Sequence, residues 1–229
     1  MGTITILEQT DKNPITLMGK MAGVCYGSDI TDDQKNYKRG MDCILSGHGR
    51  ILEYVNVAMI IDGYSAKFYR EFYTHIGGSP TRTQASTRYI NYTKGAGFNY
   101  VVPKTIQKNL QAEDLYVKTM AQINEACRVL EQDFGIPRED ASMLLPLGMN
   151  SKVVDKRNLR NWIDMSRVRE CSRAWSEYRE FFADVKAALR EYSDEWAWVV
   201  DNLFHPKCEE YGYCNETKSC GRKPRKEER

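Results

Sequence analysis

The sequence predicts an α+β fold, on three observations. Val55, Val57, Met59 and Ile61 alternate with Tyr54, Asn56, Ala58 and Ile60, the period of a strand with one fully apolar face. Two later stretches step by three and four, Met120, Ile123, Cys127, Leu130 and Phe134, then Trp175, Tyr178, Phe182, Val185, Leu189 and Tyr192, which gives each helix one buried stripe. No Gly-x-Gly-x-x-Gly stands between a strand and a helix, which argues against a Rossmann type of nucleotide site.

Taken in order, residues 3–7 read as a short edge strand, and Thr31-Asp32-Asp33 supplies an N-cap with acids in the first turn of a helix running to Ser46. Gly47-His48-Gly49-Arg50 breaks that helix. The alternating strand covers residues 53–62 and ends at Gly63; Ser65 caps a helix over residues 66–73. Residues 88–92 have the look of another strand, followed by a flexible Gly95-Ala96-Gly97 turn. After the long helix, Gly135-Ile136-Pro137 stops one element and starts the next, which ends at Leu144-Leu145-Pro146-Leu147. The last large element reads as helical from Asp155, interrupted at residues 169–172, where Ser172 can cap a fresh helix. The basic terminal run, residues 223–229, reads as disordered.

With 229 residues the chain suits one domain and a small appendage, residues 1–204 and 205–229. Its 33 basic and 31 acidic residues nearly cancel, so no global field draws in nucleic acid and an anionic ligand must be held locally. No apolar run reaches the ~18 residues of a membrane span, and Met1-Gly2-Thr3-Ile4 opens without signal-peptide features, so a cytoplasmic location is expected. Cys25, Cys43, Cys127 and Cys171 are scattered singly, as suits reduced and mostly buried thiols.

Residues 69–92 concentrate Arg70, His75, Arg82, Ser86, Thr87 and Arg88 with a Gly-Gly pair and a Ser-Pro break. Hydroxyls, exposed glycine N–H groups and guanidinium forks are what hold phosphate oxygens, so the segment reads as a phosphate clamp. On composition alone a polar loop between a helix and a strand fits better than a clamp.

Here the chain resembles the flavin-dependent thymidylate synthases, the ThyX family. Ser86-Thr87-Arg88-Tyr89, behind a His and Arg cluster, resembles the family signature R-H-R, seven residues, Ser. The R-H-R region is divergent: Thr74-His75-Ile76 stands in its place, two extra residues precede Ser86, and Arg82 offers a charge from another position. Leu145-Pro146-Leu147, Asn158-Leu159-Arg160, and Arg169 followed by Ala174-Trp175-Ser176-Glu177 resemble the landmarks L-P-L, N-x-R and R-x-x-x-x-A-Q-x-E, ungapped. The likeness spans most of residues 48–177.

The resemblance implies an antiparallel sheet packed with long helices, in a homotetramer whose sites are shared between subunits. It implies that Ser86, Thr87 and Arg88 bind the phosphate of deoxyuridylate (dUMP), with Gln84 beside them where the family usually has Glu. Lys152 stands where the family has a nucleotide-binding arginine, and Arg169 matches the arginine that contacts and polarises the base. His48, His75, Arg82, Asn158 and Arg160 fall on the flavin side. FAD is the implied cofactor, with NADPH and methylenetetrahydrofolate as co-substrates. The implied reaction is reductive methylation of dUMP to dTMP, which asks for an oriented flavin, an oriented base and a cation where charge develops.

Each residue also has a plainer reading. His48 sits at a helix end, where a cationic ring favours the dipole. Arg160 and Arg169 lie among Arg157, Arg167 and Arg173, most of which a solvated helix face explains; Tyr89 and Tyr92 suit a core, and Cys171 suits packing. The tail places His205, Cys208, Cys214 and Cys220 close together as a weak zinc candidate, their C-x5-C-x5-C spacing lacking the usual knuckle. Two rival functions stay open: a flavoenzyme of the same fold acting on another pyrimidine nucleotide such as dCMP, and a non-catalytic nucleotide-binding module with a zinc-stabilised tail.

Overall fold

Four strands, β1 (Thr3–Ile6), β2 (Asn56–Ser65), β3 (Thr81–Gln84) and β4 (Asn150–Asn158), make an antiparallel sheet in the order β1-β2-β4-β3. The computed structural model describes residues 2–228 and adds ten α-helices to that sheet. They are α1 (Pro14–Cys25), α2 (Asp33–Leu45), α3 (Ala66–Phe72), α4 (Lys104–Gln107), α5 (Leu110–Arg128), α6 (Arg138–Ala141), α7 (Leu159–Arg169), α8 (Ser176–Tyr192), α9 (Asp194–Leu203) and α10 (Lys207–Tyr211). No described helix is long and apolar enough to cross a membrane.

The chain divides into two compact units. One holds Gly2 and residues 61–74 and 83–153; the other holds residues 3–60, 75–82 and 154–228. Residues 205–228 thus belong to the second unit.

In the first unit α3 starts where expected, the Ser65 hydroxyl accepting from Phe68 N–H at 3.1 Å. Its first-turn N–H groups on Ala66 and Lys67 bond to the carbonyls of Met149 and Leu147, so few orphan donors remain at that end. The Tyr69 hydroxyl, on the buried face of α3, lies 2.9 and 3.0 Å from the carbonyls of Ile61 and Ser151. Asn109 caps α5, and its stripe reaches the core through Met120, which packs with Phe98 and Met149. Phe134, the last residue of the expected stripe, is exposed, because a π-helical turn over Val129–Asp133 rotates the face before Gly135 ends the element.

The second unit buries Trp162 of α7 among Phe181 and Phe182 of α8, with Tyr178 stacked on Phe182. Val185 and Leu189 continue the anticipated stripe, and α9 adds Trp196, Val199 and Val200. Helix α1 packs on α2 at backbone distance: a Cβ on Gly19 would fall 1.7 Å from the Asn36 carbonyl oxygen. Asp32 caps α2 by accepting from the N–H groups of Gln34 and Lys35.

Several sequence expectations need correction. Strand β2 runs through Gly63 to Ser65, the glycine taking φ +81° within it. Residues 88–92 form a turn, and the strand lies ahead of the clamp at Thr81–Gln84; Tyr89 is consequently exposed. Helix α7 begins at Leu159 rather than at Asp155, since Asn150–Asn158 is a strand. Helix α8 starts at Ser176 behind Trp175, not at Ser172. In the basic run, Cys214 bridges to Arg225 and Lys226–Glu228 closes a 3-10 turn; Arg229 lies outside the described residues.

Helix α1 has Pro14 in its first turn and no side-chain cap from Asn13. Glu195 supplies one from α9, accepting from Ile15 N–H at 2.6 Å, Thr16 N–H at 3.0 Å and the Thr16 hydroxyl at 2.5 Å. A carboxylate at a helix N-terminus gains both hydrogen bonds and the dipole. Replacing Glu195 by Ala should lower stability by about 1–2 kcal/mol, read as a lower midpoint in urea unfolding with an unchanged slope.

Candidate active site

The first unit carries the Ser86-Thr87-Arg88 part of the clamp. After β3 the chain enters a tight turn in which the Ser86 hydroxyl accepts from Arg88 N–H at 3.2 Å and its carbonyl accepts from Ile90 N–H at 3.0 Å. Thr87 is half-buried beside it, while the exposed Arg88 pairs through Nε with Glu139 at 3.0 Å. Such a solvated ion pair is worth ~0–1 kcal/mol, so Arg88 gives up this carboxylate at little cost. Gln84 accepts from the Tyr73 hydroxyl at 2.8 Å and donates to Ser151 Oγ at 3.2 Å, which fixes its amide. Lys152, on β4, is tied to Asp62 of β2 at 2.6 Å.

The second unit brings Arg169 and His75 together, 94 positions apart in sequence. Arg169 Nε donates to His75 Nε2 at 3.0 Å, and its guanidinium lies 4.6 Å from the centre of the Tyr178 ring. His75 stands edge-on to the same ring. Burial, the Arg169 guanidinium and the Arg157 guanidinium, in that order, lower the His75 pKa to about 4. The imidazole is therefore neutral near pH 7, and since Nε2 accepts, its proton resides on Nδ1.

What holds His75 in place escaped the sequence reading. Arg157 is fully buried and forms a fork on Asp155, Nε and NH2 donating to the two carboxylate oxygens at 2.6 and 2.7 Å. Its remaining NH1 donates to Asn161 Oδ1 at 2.8 Å and lies 3.4 Å from the His75 carbonyl oxygen. Asn158 Oδ1 caps α7 by accepting from Asn161 N–H at 2.9 Å. The glycine pair explains itself here: Gly78 takes φ +69°, and a Cβ on it would fall 2.2 Å from the Asn158 amide nitrogen. The signal was available as Asp-x-Arg on an alternating strand, which puts both charges on one face. Arg82 is half-buried on β3.

His48 and Arg160 meet at a different place in this unit, on a cleft of about 350 Å³, a size within the range of small-molecule sites. Gly47, Gly49, Ile44, Leu52, Ile163 and Leu203 supply backbone and apolar wall. Arg160 is anchored by Glu53 at 2.9 Å. Arg167 Nε and His205 Nδ1, on residues of the same wall, are buried with no hydrogen-bond partner among the described residues. Apolar walls with unanswered polar atoms fit a flat heteroaromatic ring with polar edges, the chemistry of a flavin.

Residues 5–193 match the Thy1 family, described as thymidylate synthase complementing protein. The flavin-dependent thymidylate synthase of Nitratidesulfovibrio vulgaris is 34% identical over 192 residues, which cover 78% of this chain and 73% of the relative. That of Pyrococcus furiosus is 28% identical over 226 residues, 94% of this chain and 90% of the relative. Among solved structures, ThyX from Helicobacter pylori complexed with FAD and dUMP superposes with a TM-score of 0.65 at 16% identity, covering 85% of this chain and 97% of that one. At that identity the likeness is one of fold.

Removing one partner of the buried pair leaves a desolvated charge. Arg157→Met alone should cost about 3–5 kcal/mol in urea unfolding, and the double variant Arg157→Met/Asp155→Leu should regain a large part of it. For His75, unfolding restores an ordinary pKa near 6.5 from a folded value of about 4. Between those values the unfolded chain holds the extra proton, so this contribution to stability is complete above pH ~6.5 and lost as the pH falls toward 4. The unfolding midpoint should drop more between pH 7 and pH 4.5 in the unsubstituted protein than in His75→Asn.

Proposed function

The chain belongs to the flavin-dependent thymidylate synthase family, and from that premise we propose that it methylates dUMP to dTMP, with methylenetetrahydrofolate as carbon donor and NADPH as reductant. The chemistry that FAD supplies when bound is hydride transfer to the pyrimidine-derived carbon. The observation that carries the reading is Arg169, whose cation is aimed by a neutral imidazole and an aromatic face. A guanidinium pre-set in that way stabilises negative charge on a base carbonyl without reorganising when the charge appears.

The clamp does the rest of the substrate binding. Ser86, Thr87 and Arg88 hold the phosphate, Arg88 exchanging Glu139 for it. Lys152 contributes charge from its pair with Asp62, and Gln84 a fixed amide. On the cofactor side His48 and Arg160 line the ring cleft, while Asn158 and His75 shape the loop that Arg82 follows. None of the seven cysteines is needed as nucleophile. The chain works as a homotetramer with sites shared between subunits, in the cytoplasm.

The test is the visible spectrum of the protein loaded with FAD and titrated with dUMP, then with dCMP as competitor. A flavin band that dUMP perturbs, with thymidylate as product, supports the reading. A response to dCMP alone moves the substrate to another pyrimidine nucleotide, and absence of bound flavin overturns the assignment. Arg169→Ala should remove about 1.5–3 kcal/mol of transition-state stabilisation, a ten- to hundredfold loss of turnover in the flavin-loaded protein. Near-normal turnover would refute its role.

A further inference from the structure

The reaction leaves three tail cysteines without a task, and a cavity of about 140 Å³ in the second unit accounts for where they go. Its wall carries Cys208, Cys214 and Cys220 together with Cys171. Four of the seven cysteines of the chain therefore face one small space. They arrive from separate pieces of chain: the break between α7 and α8, helix α10, the bridge to Arg225, and the turn beyond it. His205, which the spacing alone had grouped with the tail thiols, lines the His48 cleft instead.

The tail needs something to hold it. Among the described residues from 205 to 228, only Pro206 and Cys214 are buried. A segment of that length with no core of its own does not keep a defined conformation by apolar burial, and small scaffolds of this kind are stapled by disulfides or a metal. The seven cysteines are free thiols. The surroundings also favour negative charge. Arg173, Lys207, Lys218 and Arg222 line the cavity against a single acid, Glu216. Ser172 adds a hydroxyl to the same wall. Donors to sulfur and a cationic rim are what a metal tetrathiolate, with its net negative charge, requires of its second layer.

We propose that Cys171, Cys208, Cys214 and Cys220 form a tetrathiolate site for a soft divalent cation, zinc foremost, that staples the tail to the break between α7 and α8. Among the described residues no three metal-ligand side chains already gather round a common point. The site forms as the thiols turn from the cavity wall toward its centre, each releasing its proton to solvent as a metal–sulfur bond replaces the S–H bond. No oxidant or reductant enters. The anchor this creates sits two residues beyond Arg169, so the metal limits how far the end of α7 can fray.

The experiment is metal analysis of the full chain, expressed with zinc and purified under reductant without chelator. About one zinc per chain is expected, released stoichiometrically by a mercurial thiol reagent. Cys171→Ser should lower the zinc content at least fivefold, whereas His205→Ala should leave it unchanged. As a reading that does not depend on a variant folding, the unsubstituted protein is stripped and titrated with cobalt(II). The intensity of the sulfur-to-cobalt absorption counts thiolates, and four are expected. Zinc well below one per chain, any other thiolate count, a loss of metal in His205→Ala but not in Cys171→Ser, or a disulfide joining two of the four cysteines would overturn the proposal.

Discussion

A carboxylate and a guanidinium two positions apart on β4, both closed off from water, organise the second unit. Neither charge could remain there alone, because desolvation of each costs several kcal/mol and only a bidentate partner offsets it. Once Asp155 has taken two of the donor positions on Arg157, the remaining nitrogen is turned toward Asn161 and the His75 loop. The arginine thus converts an electrostatic necessity into a geometric one. Asn158 and Asn161 repeat the pattern at smaller scale, capping α7 while pressing on the glycine pair. His75 then has one place to stand, where Arg169 meets it.

The neutrality of His75 matters as much as its position. A protonated ring could not accept from Arg169 and would repel it, so the same burial that depresses its basicity keeps the guanidinium directed. In the clamp the opposite policy holds. Arg88 is exposed and its partner Glu139 is weakly held and replaceable, while Ser86 and Thr87 beside it are half-buried. Arg169 is held by a ring nitrogen and an aromatic face while Arg88 is held by one solvated carboxylate, two different settings for a guanidinium.

What could be read from the residues alone follows from how directly each residue type reports its surroundings. Strand β2 was legible because its inward side chains are apolar, α3 because of its Ser65 cap and α5 because of its apolar stripe. Strand β4 was not, because its inward face is Ser151, Val153, Asp155 and Arg157, and buried charge looks like a solvated helix until its partner is seen. Helix α1 went unread since Gly19 looks like a breaker, whereas it is the point where two backbones touch. In the site, the resemblance singled out Ser86, Arg88, Arg169 and His75, of which the structure brings Arg169 and His75 into contact. The supports were not singled out: Arg157 was taken for a solvated arginine, and Tyr178 for core alone. The mark they left, Asp-x-Arg, becomes readable only once residues 150–158 are recognised as a strand.

The cap on α1 has a consequence for how the protein comes into being. The carboxylate that finishes the start of that helix is contributed by a residue 180 positions later. During synthesis at the ribosome, helix α1 is therefore left with open donors until Glu195 has been made, and Tyr192, Ser193 and Trp196 bond to residues 10–12 from the same late stretch. Long-range closure of this kind is slow relative to local helix formation. Helix α1 is finished only when α9 exists.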